Sequence, residues 1–334
     1  MRLKLQERIE LLLRLGEYMG GNAAEWEAVK SKAYVVNNWF TREFTDLAVE
    51  NIRTAFLQPA ALLGLAGRYN LPEEQPHPKK VGLVLAGNIP LVGFHDVLCT
   101  FLSGHDAWIK PSSKDEALLL HLVGKITEWR PEAAPSLEVR ERLNGAEAFI
   151  ATGSNNTSRY FEHYFARFPH IIRKNRTSVA VLDGTESAGE LEKLADDICQ
   201  YFGLGCRNVT ALRVPKDYDF VPLLRALDKY SELKHHNKFR NNYDYNLAVH
   251  ILNNKFYMSN DVVLLVEHES PFAPISQVHY QFYEDRATAV AELEGRSDIQ
   301  CLVGRGLLPF GEAQMPAADT YADGVDTLQF LSSL

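Results

Sequence analysis

The sequence predicts an α/β protein with parallel sheets, covered by helices and preceded by a helical segment. From about residue 80 onward, short apolar runs rich in β-branched residues alternate with stretches of helical periodicity. This alternation favours parallel strands joined by helices, because a parallel connection needs a crossover. The chain has 334 residues, 46% of them hydrophobic, which is enough to bury the cores of about two domains.

Residues 1–75 show helical patterns without strand signals, so we expect a helical cap packed on the first domain. Leu5, Ile9, Leu12 and Leu13 form one apolar stripe, and the charged residues between them argue against a signal peptide. Two more helical runs follow, TREFTDLAVENIRTAF and PAALLGLAGRYN. The polar segment LPEEQPHPKK contains three prolines and therefore ends the cap.

The first α/β domain is predicted over residues 76–204. Its strands are VGLVLAG, DAWIKPS, AFIATG and SVAVLDG, and its helices lie near residues 90–104, 114–143 and 155–166. The run ESAGELEKLADDICQYF places its apolar residues on one face, which predicts a further helix that ends at Gly203 and Gly205.

The second α/β domain is predicted over residues 205–308. It contains the strand VTALRVP, a helical pair over about 218–240, the strands DVVLLVEH and SQVHYQFY, a helix over about 284–296 and the strand IQCLVG. Residues 309–334 are expected to be a C-terminal return or an oligomerisation segment.

Composition and charge exclude several classes of partner. The formal net charge of −8 provides no positive field for nucleic acid or an anionic membrane. The most apolar stretch, residues 81–109, is interrupted by Asn88, His95 and Asp96, so we expect no membrane span. The four cysteines are scattered without a CxxC pair, which indicates neither a zinc site nor a disulfide framework. We therefore expect a cytoplasmic protein and assign no metal.

Cys206 is the candidate nucleophile. It follows Gly203 and Gly205, which would let the backbone bend, and it lies at the predicted junction of the two domains, where clefts form. A thiolate attacks thioesters and aldehydes readily, and the adjacent Arg207 is the local group that could lower the thiol pKa. The alternative is a buried structural cysteine, which is our interpretation of the other three.

Four segments carry a resemblance to a known family: AGNIPLVGFHDVLCTFLSGHDAWIKPSSKD, FIATGSNNTSRYF, FGLGCRNVTALRV and ESPFAPIS. In this order they resemble the aldehyde dehydrogenase superfamily. Within it the chain is most similar to the acyl-CoA reductase of the bacterial bioluminescence fatty-acyl-CoA reductase family, from about residue 81 to the C-terminus. The resemblance implies an aldehyde dehydrogenase-like fold, with a Rossmann-type nucleotide-binding domain and an α/β catalytic domain.

The resemblance also implies roles for individual residues. It makes Cys206 the nucleophile and gives Asn88, together with the Cys206 backbone N–H, the task of holding an oxyanion. The alternative for Asn88 is a turn residue before a helix that begins with proline. Lys110 stands where the superfamily lysine meets the adenosine ribose. Gly153 and Ser154 open a helix whose N–H groups could receive pyrophosphate, or which they merely cap.

Three departures from the superfamily pattern bear on cofactor and reaction. Ser113 replaces a glutamate that binds the ribose in many NAD-preferring relatives, which favours NADPH and leaves NADH open. In SPFAP, Ser270 replaces the glutamate of a Glu-x-Phe-x-Pro pattern, so the expected cofactor contact there falls to Phe272. Residues 174–177 lack the glutamate that activates water, which favours exchange with coenzyme A over hydrolysis.

These observations predict NADPH-dependent reduction of a fatty acyl-CoA thioester to the aldehyde through a covalent acyl-enzyme, with coenzyme A as leaving group. One alternative is an NAD-dependent aldehyde dehydrogenase that forms free acid. Another is a nucleotide-binding partner without turnover in an acyl-transfer complex. The resemblance implies a homo-oligomer and an acyl-protein synthetase or transferase as a partner.

Overall fold

The computed structural model describes residues 2–334 and divides into two compact units. Unit 1 extends to Asn175 and includes Pro316–Leu334, whereas unit 2 is Arg176–Met315. The division lies earlier in the chain than the boundary predicted near residue 204. The reason is that the strand SVAVLDG and the helix after it belong to the sheet and core of unit 2.

Unit 1 combines the helical cap with a five-stranded parallel sheet. Its elements up to Asn175 are α1 (Leu5–Met19), α2 (Ala24–Val36), α3 (Arg42–Ala55), α4 (Pro59–Arg68), β1 (Lys80–Val84), α5 (Phe94–Leu102), β2 (Asp106–Lys110), α6 (Glu116–Trp129), a 3₁₀ segment (Pro131–Ser136), β3 (Leu137–Val139), β4 (Ala148–Thr152), α7 (Asn155–Phe165) and β5 (His170–Arg173). The expected N-terminal helical cap is therefore present.

The strand order in unit 1 is β3-β2-β1-β4-β5, and every pair is parallel. The order reverses at β1, so the loops after β1 and β4 diverge at a topological switch point, where open α/β sheets bind ligands. Buried Val81, Leu83 and Ile150 form part of a core that continues into the cap helices. The predicted α/β fold is confirmed.

Unit 2 contains a six-stranded sheet in the order β11-β6-β7-β10-β9-β8. Its elements are β6 (Thr177–Val181), α8 (Ala188–Cys199), a 3₁₀ segment (Gln200–Gly203), β7 (Val209–Pro215), α9 (Val221–Leu227), a 3₁₀ segment (Asp228–His235), α10 (Asn237–Leu252), β8 (Met258–Ser259), β9 (Leu264–Glu267), β10 (Gln277–Tyr283), α11 (Arg286–Leu293) and β11 (Ile299–Val303). The pair of β8 and β9 is antiparallel and the others are parallel.

The C-terminal segment returns to unit 1. It carries a 3₁₀ turn (Ala322–Gly324) and α12 (Thr327–Ser332), which packs on α5. Arg173 Nη2 donates to Thr327 Oγ1 at 2.8 Å, and His105 Nε2 lies 3.0 Å from the Leu331 carbonyl oxygen. Since Leu328 and Leu331 are buried in the unit 1 core, the segment completes this unit. Among residues 2–334, no helix combines the length and the apolarity that crossing a membrane requires.

Candidate active site

The sequence-predicted residues of unit 1 lie along one edge of its sheet. Asn88 is exposed in the bend after β1, Lys110 is the exposed last residue of β2, and Gly153 follows β4. These strands are parallel neighbours in the order β2-β1-β4, so their carboxyl ends meet at the same edge. Ser113 is exposed in the turn after β2. The topology therefore brings these four residues to the edge at which open α/β sheets bind ligands.

The turn that carries Asn88 differs from the expected one. The helix α5 begins at Phe94 and not at Pro90, because Leu91 adopts a positive φ of 56° that a helix cannot contain. Pro90 therefore lies in a turn ahead of the helix. The role of Asn88 toward an oxyanion stays a prediction.

The loops after β1 and β2 are packed against each other. A Cβ on Gly87 would lie 2.6 Å from Ser112 Oγ and 3.2 Å from Asp115 Cβ. Asp115 is buried, and burial raises the pKa of its carboxyl well above the usual range, although a hydrogen bond from the Leu91 backbone opposes the shift. Its Oδ1 atom has no partner among the residues described by the structure. Asp115 thus supports the Asn88 turn, and sequence reasoning missed it because it resembles a helix cap.

Gly153 and Ser154 lie at the start of α7 and shape it in different ways. A Cβ on Gly153 would lie 3.0 Å from Phe161 Cε2, so the helix can approach β4 closely only with glycine there. Ser154 Oγ accepts from the Thr157 backbone N–H at 3.3 Å and caps the helix. Ser154 therefore acts as a helix cap, and phosphate binding by the start of α7 remains a prediction.

In unit 2, Cys206 lies in a loop whose backbone is fixed by one buried side chain. Asn208 Oδ1 accepts from the Gly205 N–H at 2.8 Å, and Asn208 Nδ2 donates to the carbonyls of Asp197 and Gln200 at 3.0 and 2.9 Å. Ser178 Oγ donates to the Cys206 carbonyl at 3.1 Å. The loop is thereby held between the end of α8 and the neighbouring strand β6. Asn208 could not be recognised from the sequence, because its partners are main-chain groups.

The chain reverses ahead of Cys206 through a left-handed turn. Tyr201 and Phe202 have φ values of 52° and 58°, and Gly203 follows at 73°. Non-glycine residues in this region cost on the order of 1 kcal/mol each and persist only where packing holds them. Both rings are buried, and the Phe202 ring lies 4.5 Å from His236. Only Gly203, of the two predicted glycines, takes a positive φ.

The other three cysteines lie in environments that raise the pKa of the thiol. Burial raises the pKa of Cys99 and of Cys199, and both are fully enclosed. Burial also raises the pKa of Cys301, although Ser178 and Arg207 interact with that thiol and oppose the shift. Arg207, which we expected to act on Cys206, thus contacts Cys301. All three raised values suit structural cysteines, as the sequence predicted.

The Phe272 loop and the Cys206 loop occupy the same edge of the unit 2 sheet. They immediately precede β10 and β7, which are parallel neighbours with His279 opposite Ala211. Thr210 Oγ1 donates to the Pro271 carbonyl at 2.6 Å and ties the two segments together. A cavity of about 20 Å³ beside these segments is lined by residues such as Phe202, Val209 and Ile275, and it has room for one water molecule.

The segment without a water-activating glutamate joins the two units in sequence. Lys174 pairs with Glu162 at 2.7 Å on the exposed surface of unit 1. Arg176 Nη1 donates to the Ile299 carbonyl at 3.4 Å, and Thr177 forms a short hydrogen bond with Thr210 within unit 2. The basic residues of this segment therefore have local structural partners. Across residues 2–334, no cluster of three or more histidine, cysteine, aspartate or glutamate side chains is arranged for a metal ion.

Comparisons with known proteins agree with this architecture. A family model described as acyl-CoA reductase (LuxC) matches residues 70–222. Among curated proteins, none matches the chain. An aldehyde dehydrogenase from Pseudomonas aeruginosa is 13% identical, with a TM-score of 0.65, over 90% of this chain and 72% of that one. An aldehyde dehydrogenase from Mycobacterium tuberculosis, solved with NAD+, is 13% identical, with a TM-score of 0.64, over 90% and 73% of the two chains.

A third similar structure, an NAD+ complex of an aldehyde dehydrogenase from Bacillus cereus, is 12% identical with a TM-score of 0.64, over 90% of this chain and 72% of that one. At these identities the likeness establishes the fold. The predicted aldehyde dehydrogenase-like fold is thus confirmed, as is the resemblance to the acyl-CoA reductase family over the matched residues. The family match also supports the predicted enzyme class, an oxidoreductase acting on aldehyde or acyl groups.

Proposed function

We propose that the protein, whose residues 70–222 match a family model described as acyl-CoA reductase (LuxC), reduces a fatty acyl-CoA thioester to the aldehyde with NADPH. The observation that carries the proposal is the Cys206 loop. Its backbone is fixed by hydrogen bonds to the side chains of Asn208 and Ser178. A nucleophile needs this kind of fixed presentation, because a covalent step depends on the position of the attacking atom.

The chemistry runs through the Cys206 sulfur. The thiolate adds to the acyl carbonyl carbon, the bond from that carbon to the coenzyme A sulfur breaks, and coenzyme A leaves as its thiolate. Asn88 and the Cys206 backbone N–H donate to the carbonyl oxygen while it carries negative charge. NADPH, when bound, supplies the hydride that reduces the acyl carbon. The hemithioacetal oxyanion then expels the Cys206 thiolate and releases the aldehyde.

The unit 1 edge suits a dinucleotide. Exposed Lys110 and the main chain at Gly153 stand on either side of β1, at the switch point of a doubly wound sheet. We infer that these residues, with Ser113 and Ser154, contact the cofactor, and that Phe272 in unit 2 does so at its nicotinamide end. Because Ser113 is uncharged, it does not repel a 2′-phosphate, and exposed Lys110 and Lys114 provide positive charge nearby. NADPH is therefore proposed over NADH.

Intact-mass spectrometry tests the nucleophile. The wild-type protein, Cys206→Ser and the matched control Cys301→Ser are each incubated with medium-chain and long-chain acyl-CoA, with and without NADPH. We expect an acyl adduct on the wild type and on the control but not on Cys206→Ser, and its discharge as aldehyde when NADPH is added. An adduct that survives in Cys206→Ser would refute the assignment.

The same proteins, given an aldehyde and NAD+ or NADP+ with or without coenzyme A, separate the two alternatives. An NAD-dependent dehydrogenase that forms free acid would oxidise aldehyde without coenzyme A, whereas we expect aldehyde oxidation to require it. The lack of a glutamate in residues 174–177 favours the second result. A nucleotide-binding partner without turnover would bind NADPH but form no adduct with any acyl donor.

We also propose a cytoplasmic homo-oligomer that receives acyl groups from an acyl-protein synthetase or transferase. The absence of a CxxC pair supports a reducing compartment, and the net charge of −8 argues against nucleic-acid partners. Light scattering of the purified protein measures the subunit number. Transfer of a labelled acyl group from a purified acyl-protein synthetase to Cys206 tests the partner.

A further inference from the structure

Two histidines hold the main chain of one residue in the Phe272 loop. His268 follows β9, and its Nδ1 atom lies 3.0 Å from the Ser270 backbone nitrogen. His279 lies on β10, and its Nδ1 atom lies 2.8 Å from the Ser270 carbonyl oxygen. The two imidazole rings are stacked, with centroids 4.5 Å apart and planes inclined by 29°. Both main-chain polar groups of Ser270 are thus bonded by one imidazole pair.

The hydrogen bonds require a particular tautomer of each ring. His268 Nδ1 faces an N–H group and must accept, so its proton is on Nε2. His279 Nδ1 faces a carbonyl oxygen and must donate, so it carries its proton there. His279 is buried, and burial lowers its pKa, whereas His268 is exposed and covers it. The arrangement therefore consists of two neutral rings with opposite hydrogen-bonding roles.

Because the Ser270 backbone is held in place, its side chain can in turn fix the backbone of Phe272. Its Oγ atom accepts from the Phe272 backbone N–H at 3.1 Å, which closes a tight turn. The next residue, Pro271, accepts from Thr210 Oγ1 at 2.6 Å, and Asn246 Nδ2 donates to the Ile275 carbonyl at 3.0 Å. The loop is consequently fixed at its middle and far end by side chains from β7 and α10. The imidazole pair fixes the near end.

We propose that His268 and His279 are positioning residues for the cofactor, which fix the backbone at Ser270 and thereby hold Phe272 in place for it. The inference rests on the proposed function, because it takes the Phe272 loop as a cofactor contact. In this chain Ser270 offers no carboxylate to the nicotinamide ribose. Precise placement of the loop by the histidines is then what the cofactor contact depends on.

Substitutions can separate the hydrogen bond from the ring. Asparagine in place of His268 keeps an acceptor that reaches the N–H two residues further on, a turn that asparagine forms readily. Asparagine in place of His279 keeps a donor near the Ser270 carbonyl. Alanine at either position removes the bond. Each Ala variant should weaken NADPH binding about five- to tenfold, the loss of one hydrogen bond, and each Asn variant should stay within about twofold of the wild type.

The experiment titrates NADPH, and separately NADH, into the full-length wild type, His268→Ala, His268→Asn, His279→Ala and His279→Asn, with protein and cofactor fluorescence as the readout. His235→Ala is the matched control, since this histidine is exposed on unit 2 and distant in sequence from the loop. Steady-state kinetics on acyl-CoA should show a raised KM for NADPH in the Ala variants with kcat changed less than twofold. Thermal melting confirms that each variant is folded.

The outcomes distinguish this inference from the proposed function. If the wild type binds neither NADPH nor NADH, both fail. If the wild type binds but His268→Ala and His279→Ala bind equally well, the positioning role alone is overturned. It is also overturned if the folded Asn variants bind as weakly as the Ala variants, because the ring and not the hydrogen bond would then matter.

Discussion

Replacing Asn208 by alanine should destabilise unit 2 by more than any surface change of the same kind. The Asn208 side chain is fully buried, and it bonds the Gly205 N–H and the carbonyls of Asp197 and Gln200 at 3.0 Å or less. Alanine leaves one donor and two acceptors without these partners.

The magnitude follows from those three groups. Leaving a buried polar group unpaired costs about 1–3 kcal/mol, so three such groups give about 3 kcal/mol at the low end of the range. The Asn208→Asp variant has the same shape and keeps the Gly205 bond, but it turns a carboxylate oxygen toward the two carbonyls. It should therefore lose stability although it creates no cavity. This result would separate hydrogen bonding from packing.

Urea unfolding followed by far-UV circular dichroism measures the free energies of unfolding. The four tryptophans all lie in unit 1, so their fluorescence reports on that unit in the same samples. Asn242→Ala is the control, because this half-buried asparagine donates to the Lys238 carbonyl within α10, and its loss should change stability by less than about 0.5 kcal/mol. A cost for Asn208→Ala within about 1 kcal/mol of this control would refute the reasoning.

Four further substitutions test the packing and the buried titratable groups of unit 1. Gly87→Ala should lower the free energy of unfolding by about 1–3 kcal/mol, because the new Cβ would meet Ser112. Gly124→Ala, in open space on α6, should raise it by about 0.5–1 kcal/mol, and thermal unfolding compares the two variants. The folded pKa of the Asp115 carboxyl is raised, so the wild type loses stability when this group ionises. Asp115→Asn should therefore become more stable relative to the wild type as pH rises from about 4 to 8. A difference in urea midpoint between the two proteins that does not change with pH would contradict this. Burial lowers the pKa of His105, so its neutral ring contributes fully to the free energy of unfolding above about pH 6.5, and this contribution is lost as pH falls. His105→Gln should therefore reduce the free energy of unfolding less at about pH 5.5 than at about pH 8.

Sequence reasoning missed three strands, namely the two edge strands of the unit 1 sheet and the two-residue edge strand β8 (Met258–Ser259) of unit 2. Central strands such as Lys80–Val84 are buried on both faces and appear in the sequence as continuous apolar runs. Edge strands Leu137–Val139 and His170–Arg173 are partly exposed, and each is short. Periodicity cannot identify three or four residues of mixed polarity, so the first was absorbed into a predicted helix. That helix ends at Trp129, just before Pro131.

The prediction of one helix end in unit 2 was wrong for a related reason. The predicted helical pair was expected to end near residue 240, but α10 continues to Leu252. Its buried residues are few, among them Phe239, Tyr243 and Asn246, so the apolar stripe is too weak to predict its length. Packing against the sheet, which the sequence does not display, stabilises the rest of the helix.

The candidate site divides in the same way. Cys206 and Asn88 are site candidates because ordered motifs carry the resemblance, and their roles stay predictions. Asn208, His268 and His279 could not, since each acts on a main-chain N–H or carbonyl. Which backbone groups need a partner depends on the turn conformation, and this becomes known only with the structure.

The loops at the unit 2 edge are held by neutral groups, and this has a chemical consequence. Asn208 fixes the loop before β7, Ser178 bonds the Cys206 carbonyl and Thr210 bonds the next loop, each through an amide or a hydroxyl. By contrast, the ion pairs of Arg305 lie on the exposed surface, where salt screens them. In the proposed reaction, fixed dipoles would stabilise an oxyanion at Cys206, whereas a carboxylate beside it would oppose that charge. Neutral hydrogen-bonding groups hold the loop in place without adding an opposing charge. Moderate salt should therefore leave the acylation rate of Cys206 unchanged.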